Sequence, residues 1–144
     1  MVGPRRRYGL ADTAQQIVGG FLLAGPFVVT EEVWTLAWNM TWVHSAVTVA
    51  IVAGIGYGAL YEADDERDPE TEAEVGGVPL RFLSLMVVSY GSVLVLALAL
   101  TAPTSFLAEE AAGSTAALAA GTARAVGVGA IFSVVGAATA DSVF

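Results

Sequence analysis

The sequence predicts an all-α polytopic membrane protein: a helical bundle of four transmembrane helices, assembled as a homo-oligomer. Three observations lead there. Apolar residues make up 56% of the 144 residues, and the mean hydropathy of +0.68 is high for a soluble fold. Charge is concentrated, since eight of the fourteen acidic residues fall between Glu62 and Glu74. Elsewhere, apolar runs of about 20 residues recur, the length a helix needs to cross a hydrocarbon core roughly 30 Å thick. A chain of this length fits one domain, residues 1–144.

The first span is expected at residues 13–34. It carries IVGGFLLAGPFVVT and then the pair Glu31-Glu32, and Pro26 should kink it or loosen a turn. The second, residues 43–61, contains one ionisable group, His44. The third, residues 80–102, has SLMVVSYGSVLVLALAL as its body, and the fourth covers residues 125–143. Residues 35–42 read as a short Trp-rich turn. Residues 62–79 read as an acidic loop closed by Gly76, Gly77 and Pro79, with no stable sheet expected. The Ala-rich part of residues 103–124 reads either as a short interfacial helix or as an early start of the fourth span. The opening MVGPRRRYG resembles the charged region of a signal peptide. However, Asp12, Gln15 and Gln16 interrupt the approach to the apolar run and no A-x-A site ends it, so the segment is read as a retained first helix.

Five of the six Arg set the orientation. Arg5, Arg6 and Arg7 precede the first span, and Arg67 and Arg81 flank the second and third on the same side. The positive-inside rule makes that face, and both termini, cytoplasmic in the cell membrane. The chain has no Lys and a net charge of −8. Dense carboxylates without Lys suit solubility in concentrated salt, which predicts a haloarchaeal or similarly halophilic origin. The absence of Cys excludes disulfides and thiol chemistry, and a single His excludes a bis-histidine site within one chain. No cofactor, metal, nucleic-acid partner or enzymatic activity is expected; membrane lipid is the expected surrounding.

Small residues recur every four positions in two spans. Ala46, Ala50, Gly54 and Gly58 form one row; Ala125, Gly129, Ser133 and Ala137 form another, with Asp141 next in line. Residues four apart share a helix face, and small ones let backbones approach closely in lipid. Both rows fit packing within one chain or a contact between subunits.

The acidic residues inside spans are the candidate site. Glu31 and Glu32 interrupt the first span near its outer edge, where carboxylates suggest a site by default or simply reach the headgroups. Arg124, opening the fourth span at comparable depth, is their natural counter-ion. Asp12 and Asp141 lie near the inner edge, and a carboxylate at each mouth fits a cation path or two ordinary interfaces. Trp34, Trp38 and Trp42 recur at i, i+4 and i+8 and read as interface anchors, with cation–π stacking as the alternative. His44 reads as a polar anchor or a proton sensor. The acidic loop lacks the Gly and ligand spacing of an EF-hand.

On VGGFLLAGPFVVTEEVWTLAW, with Thr30, Glu32 and Trp34 closing an apolar run, the chain resembles the uncharacterised membrane family catalogued as domain of unknown function 2391. GVPLRFLSLM and FSVVGAATADSVF resemble its short haloarchaeal branch. The resemblance implies a multi-pass membrane protein and no established activity. Two function classes follow from the sequence. One is an oligomeric cation channel or transporter with acidic residues at its outer mouth. The other is a structural or accessory subunit that packs against a partner complex.

Overall fold

The computed structural model describes residues 8–62 and 74–143. Arg5, Arg6, Arg7, Arg67 and most of the acidic loop lie outside the described residues. The elements, in order, are α1 (Leu10–Val28), α2 (Glu31–Asn39), α3 (Trp42–Tyr57) with a π turn (Gly58–Glu62), β1 (Glu74–Val75), β2 (Val78–Pro79), α4 (Leu80–Ala99), α5 (Ala102–Ala111) and α6 (Thr115–Val143). By length and apolarity, α3 continued through Tyr61, α4 and α6 can each cross a membrane; α1 and α2 qualify together as a bent pair. Large apolar side chains such as Leu22 (69% exposed) and Val87 (72%) point outward, as lipid-facing positions do.

The first expected span is not one helix. It breaks at Val29–Thr30, and α2 turns 83° away from α1. Pro26 removes a backbone donor in the last turn of α1. The Thr30 hydroxyl donates back to the Pro26 carbonyl, and the Trp34 indole N–H donates to the Val28 carbonyl at 2.8 Å. These side chains satisfy carbonyls left open where the helix stops. Glu31 and Glu32 then open α2, where negative side chains suit the positive end of the helix. The expected turn at 35–42 is therefore mostly helix.

The other boundaries shift for local reasons. Thr41 caps α3, and its N–H donates to His44 Nδ1 at 3.1 Å, so His44 closes a capping box from an exposed position. β1 and β2 pair Val75 with Val78 across Gly76 (φ +60°) and Gly77 (φ +85°). Two positive φ values in a two-residue turn call for glycine, and the turn makes a minimal hairpin where no sheet was expected. α4 stops at Ala99, and Thr101 takes a left-handed φ of +57° before α5. The Ala-rich part is an early start of the fourth span, with α6 beginning at Thr115, ten residues before the expected 125, and a separate short helix, α5, precedes it. Ser114 caps α6 by accepting from the Ala117 N–H at 3.1 Å. At 29 residues, α6 is about 43 Å long.

The core is a three-helix packing of α1, α4 and α6. Its tightest point is between Gly19 and Gly136, where a Cβ on either would run into the backbone of the other. Gly20 faces the Ser92 and Ser133 hydroxyls, and Ser133 donates to the Gly20 carbonyl at 3.1 Å. The row Ala125, Gly129, Ser133, Ala137 and Asp141 is buried throughout. The row in α3 behaves differently: Ala46, Ala50 and Gly54 are exposed, and a Cβ on Gly54 or Gly58 meets nothing within 4 Å. α3 and the π turn pack instead through Val52, Gly56 and Leu60, all buried, with Gly56 against Leu85, Met86 and Val134. One glycine at the crossing point suffices there, and flanking Val and Leu fill the volume. The reading of the Ala46 to Gly58 row as contact within the chain is thereby corrected.

Candidate functional site

Three helices place ionisable groups at the end of the bundle where α1 begins and α6 ends. Asp12 stands in the first turn of α1 and Arg81 at the second position of α4, with Asp141 in the last turn of α6. Arg81 Nη1 lies 2.7 Å from Asp141 Oδ1 and 3.3 Å from Asp12 Oδ1. The side chains are almost sealed: Arg81 is 4% exposed, Asp141 0% and Asp12 14%. Gln16, one turn above Asp12, donates from Nε2 to Asp141 Oδ2 at 3.1 Å, and its Oε1 accepts from the Ser84 hydroxyl at 2.7 Å. Tyr8 hydrogen-bonds to Thr13 and Ser84 through its hydroxyl, and Arg81 sits 5.2 Å from the centre of its ring. Asp12 has a second task, accepting the Gly9 N–H at 2.9 Å and so capping α1.

Buried charges are tolerated when paired and hydrogen-bonded. This clasp meets both conditions and ties the three core helices at one end. Asp12 and Asp141 therefore stand together on one guanidinium, whether or not a cation path exists elsewhere. Sequence reasoning used Arg81 only for orientation and passed over Gln16 and Ser84 as partners. The available signal was an Arg at the start of one span, with a carboxylate at the matching end of two others.

At the far end, Glu31 and Glu32 are exposed. Arg124 is not joined to them. Its Nε donates to the Ala37 carbonyl at 2.8 Å and its Nη2 to the Trp38 carbonyl at 3.4 Å, with the guanidinium 5.7 Å from the Trp38 ring centre. The break before α2 brings the negative end of that helix, rather than its Glu pair, against α6, and Arg124 caps it. The three Trp separate for the same reason. Trp34 is 1% exposed and stacks on Phe106 at 5.9 Å, so it belongs to the core rather than to an interface belt. Trp38 is half-buried beside Arg124, and Trp42, on the next helix, is 80% exposed.

Among the described residues no three His, Asp or Glu are grouped to hold a metal ion. No curated protein and no solved structure matches the chain. The family described as "Putative integral membrane protein (DUF2391)" matches residues 5–140, nearly the whole sequence. With its lipid-facing helices and a match of that extent, the chain belongs to this family of integral membrane proteins, domain of unknown function 2391.

Proposed function

We infer that the chain is a structural or accessory membrane subunit, neither an enzyme nor an ion conduit in its own right, with both termini in the cytoplasm of a halophilic cell. The observation that carries this reading is the break at Val29–Thr30. It puts Glu31 and Glu32 at the start of a helix lying across the end of α1. There the carboxylates reach headgroups and water, where they need no ion path to be stable. The seam between α1 and α6 is closed by backbone contact at Gly19 and Gly136, which leaves little room for an ion inside one protomer. The exposed row Ala46, Ala50 and Gly54 offers a second helix a close approach, and it supports assembly as a homo-oligomer or against a partner.

A second reading keeps cation transport. The exposed Glu pair favours it, because in a ring of subunits one of the two carboxylates can face a shared axis. Flux separates the two readings. Purified chain in lipid vesicles, loaded with sodium, potassium or a proton gradient, should leak no faster than empty vesicles. Flux above that level that falls in Glu31→Gln or Glu32→Gln overturns the accessory reading. Native mass measurement in several mild detergents, alongside crosslinking in native membranes, should show the chain in a stoichiometric assembly. A lone monomer in all of them counts against both readings.

A further inference from the structure

We propose that the cap on α3 works in one protonation state only, so that acid loosens the joint between α2 and α3. A capping box ordinarily pairs Ser or Thr with Glu or Gln three residues on, acceptors that remain acceptors near neutral pH. Here Thr41 is paired instead with His44, the single His of the chain. His44 Nδ1 accepts the Thr41 N–H at 3.1 Å and lies 2.9 Å from the Thr41 hydroxyl. A ring nitrogen that accepts an N–H carries no proton itself, so the neutral ring holds its proton on Nε2. An imidazolium has a proton on both nitrogens and accepts nothing. His44 is exposed, so a proton reaches it without the bundle opening.

Protonation removes the cap and sets a charge against the helix. The Thr41 N–H loses its acceptor, and a cation then stands in the first turn, at the positive end of α3. The elements packed on α3 supply no counter-charge at that end. On α6, Arg124 is itself a cation, bonded to the Ala37 and Trp38 carbonyls just ahead of the joint, and Asp141 lies at the opposite end. α4 carries Arg81 at the opposite end and Tyr90 midway, and Tyr61 follows α3 in the π turn. Glu31 and Glu32 open α2, about 12 Å along that helix from Asn39. Met40 and Thr41 are the two residues that link α2 to α3. The neutral ring fixes that link, and the charged ring frees it. The Thr41 side chain still meets the His44 N–H, and Arg124 still holds the end of α2, so the change stays within one turn.

A single His makes the test direct. The full chain, labelled with nitrogen-15 at His and Thr, is followed by NMR in lipid nanodiscs from pH 8 to pH 5, the interval in which an imidazole ordinarily gains its proton. At the high end, the ring should carry its proton on Nε2. As the ring protonates, the Thr41 amide should shift with the same midpoint. Its protection from hydrogen exchange, corrected for the intrinsic pH dependence, should fall roughly three- to tenfold, the scale of one lost helix cap. Protection in the middle of α4 and α6 should hold. His44→Gln restores the ordinary Thr-x-x-Gln box and should keep Thr41 protected across the range, whereas His44→Lys should leave it unprotected throughout. A neutral ring with its proton on Nδ1 overturns the proposal. So does constant Thr41 protection while the ring titrates, or a pH step that survives in His44→Gln. Equal loss of protection in α4 and α6 overturns it as well, since that is unfolding by acid.

Discussion

Replacing Arg81 with Met removes a guanidinium that holds α1 to α6 through the clasp. The side chain is 4% exposed and its nearest carboxylate, on Asp141, is fully sealed, so water screens little of the loss. Met matches much of the apolar stem. The penalty is then dominated by the Asp141 carboxylate left in a dry site with Gln16 still donating to it. Breaking a buried pair from one side costs about 3–5 kcal/mol. The contact with the Tyr8 ring adds about 1 kcal/mol at most, because Arg81 is 5.2 Å from its centre. A total near 3–5 kcal/mol is the expected loss, read from reversible unfolding of the chain in mixed micelles. Substituting the partner as well, in Arg81→Met/Asp141→Leu, removes the carboxylate that Arg81 paired with. The double variant should therefore be more stable than the two single losses added together, by about 1–3 kcal/mol. A single loss below about 1 kcal/mol would refute the account. So would strict additivity, because then the two side chains do not feel each other.

Four further outcomes follow from packing. Gly19→Ala places a methyl group against the Gly136 carbonyl and 2.7 Å from the Ala140 Cβ, and should cost at least about 1–3 kcal/mol. Gly54→Ala, which meets nothing within 4 Å, should be neutral or stabilise by up to about 1 kcal/mol through helix propensity in the same unfolding assay. Trp34→Ala should cost about 3–5 kcal/mol because the indole is 1% exposed, whereas Trp42→Ala, at 80% exposure, should change unfolding by less than about 0.5 kcal/mol.

The apolar runs revealed the membrane class and the rough positions of the long helices, because a run of about 20 apolar residues has few other physical outcomes. The break in the first span was harder to see. Val28, Val29, Val33 and Trp34 keep the stretch apolar, and hydropathy alone passes straight through it. Local chemistry did mark it: Pro26 is followed by Thr30, Glu31 and Glu32, a helix stop followed by a helix start. Gly113 and Ser114 mark the early start of α6 in the same way, with a positive-φ glycine and then a capping hydroxyl. The clasp was not legible because its members are far apart in the chain, with Arg81 and Asp141 separated by 60 positions. Nothing in a helical period links such residues. The sequence left open whether the Ala46 to Gly58 row packs within the chain, for a related reason. A four-residue row of small side chains shows where a helix can approach closely, and α3 uses a neighbouring row with one glycine in it.

The contact between Gly19 and Gly136 also bears on how the protein is made. It joins an early helix to a late one, and Asp12 and Gln16 likewise wait for Asp141. At about 5–20 residues per second, over a hundred residues must be added before those partners exist. During that interval, on the order of ten seconds, α1 has entered the lipid with a carboxylate, an amide and a bare glycine groove uncovered. An insertion machinery that shields such a helix laterally would suit this order of synthesis. So would α4, which reaches α1 first and presents Arg81 and Ser84 to the same two polar side chains.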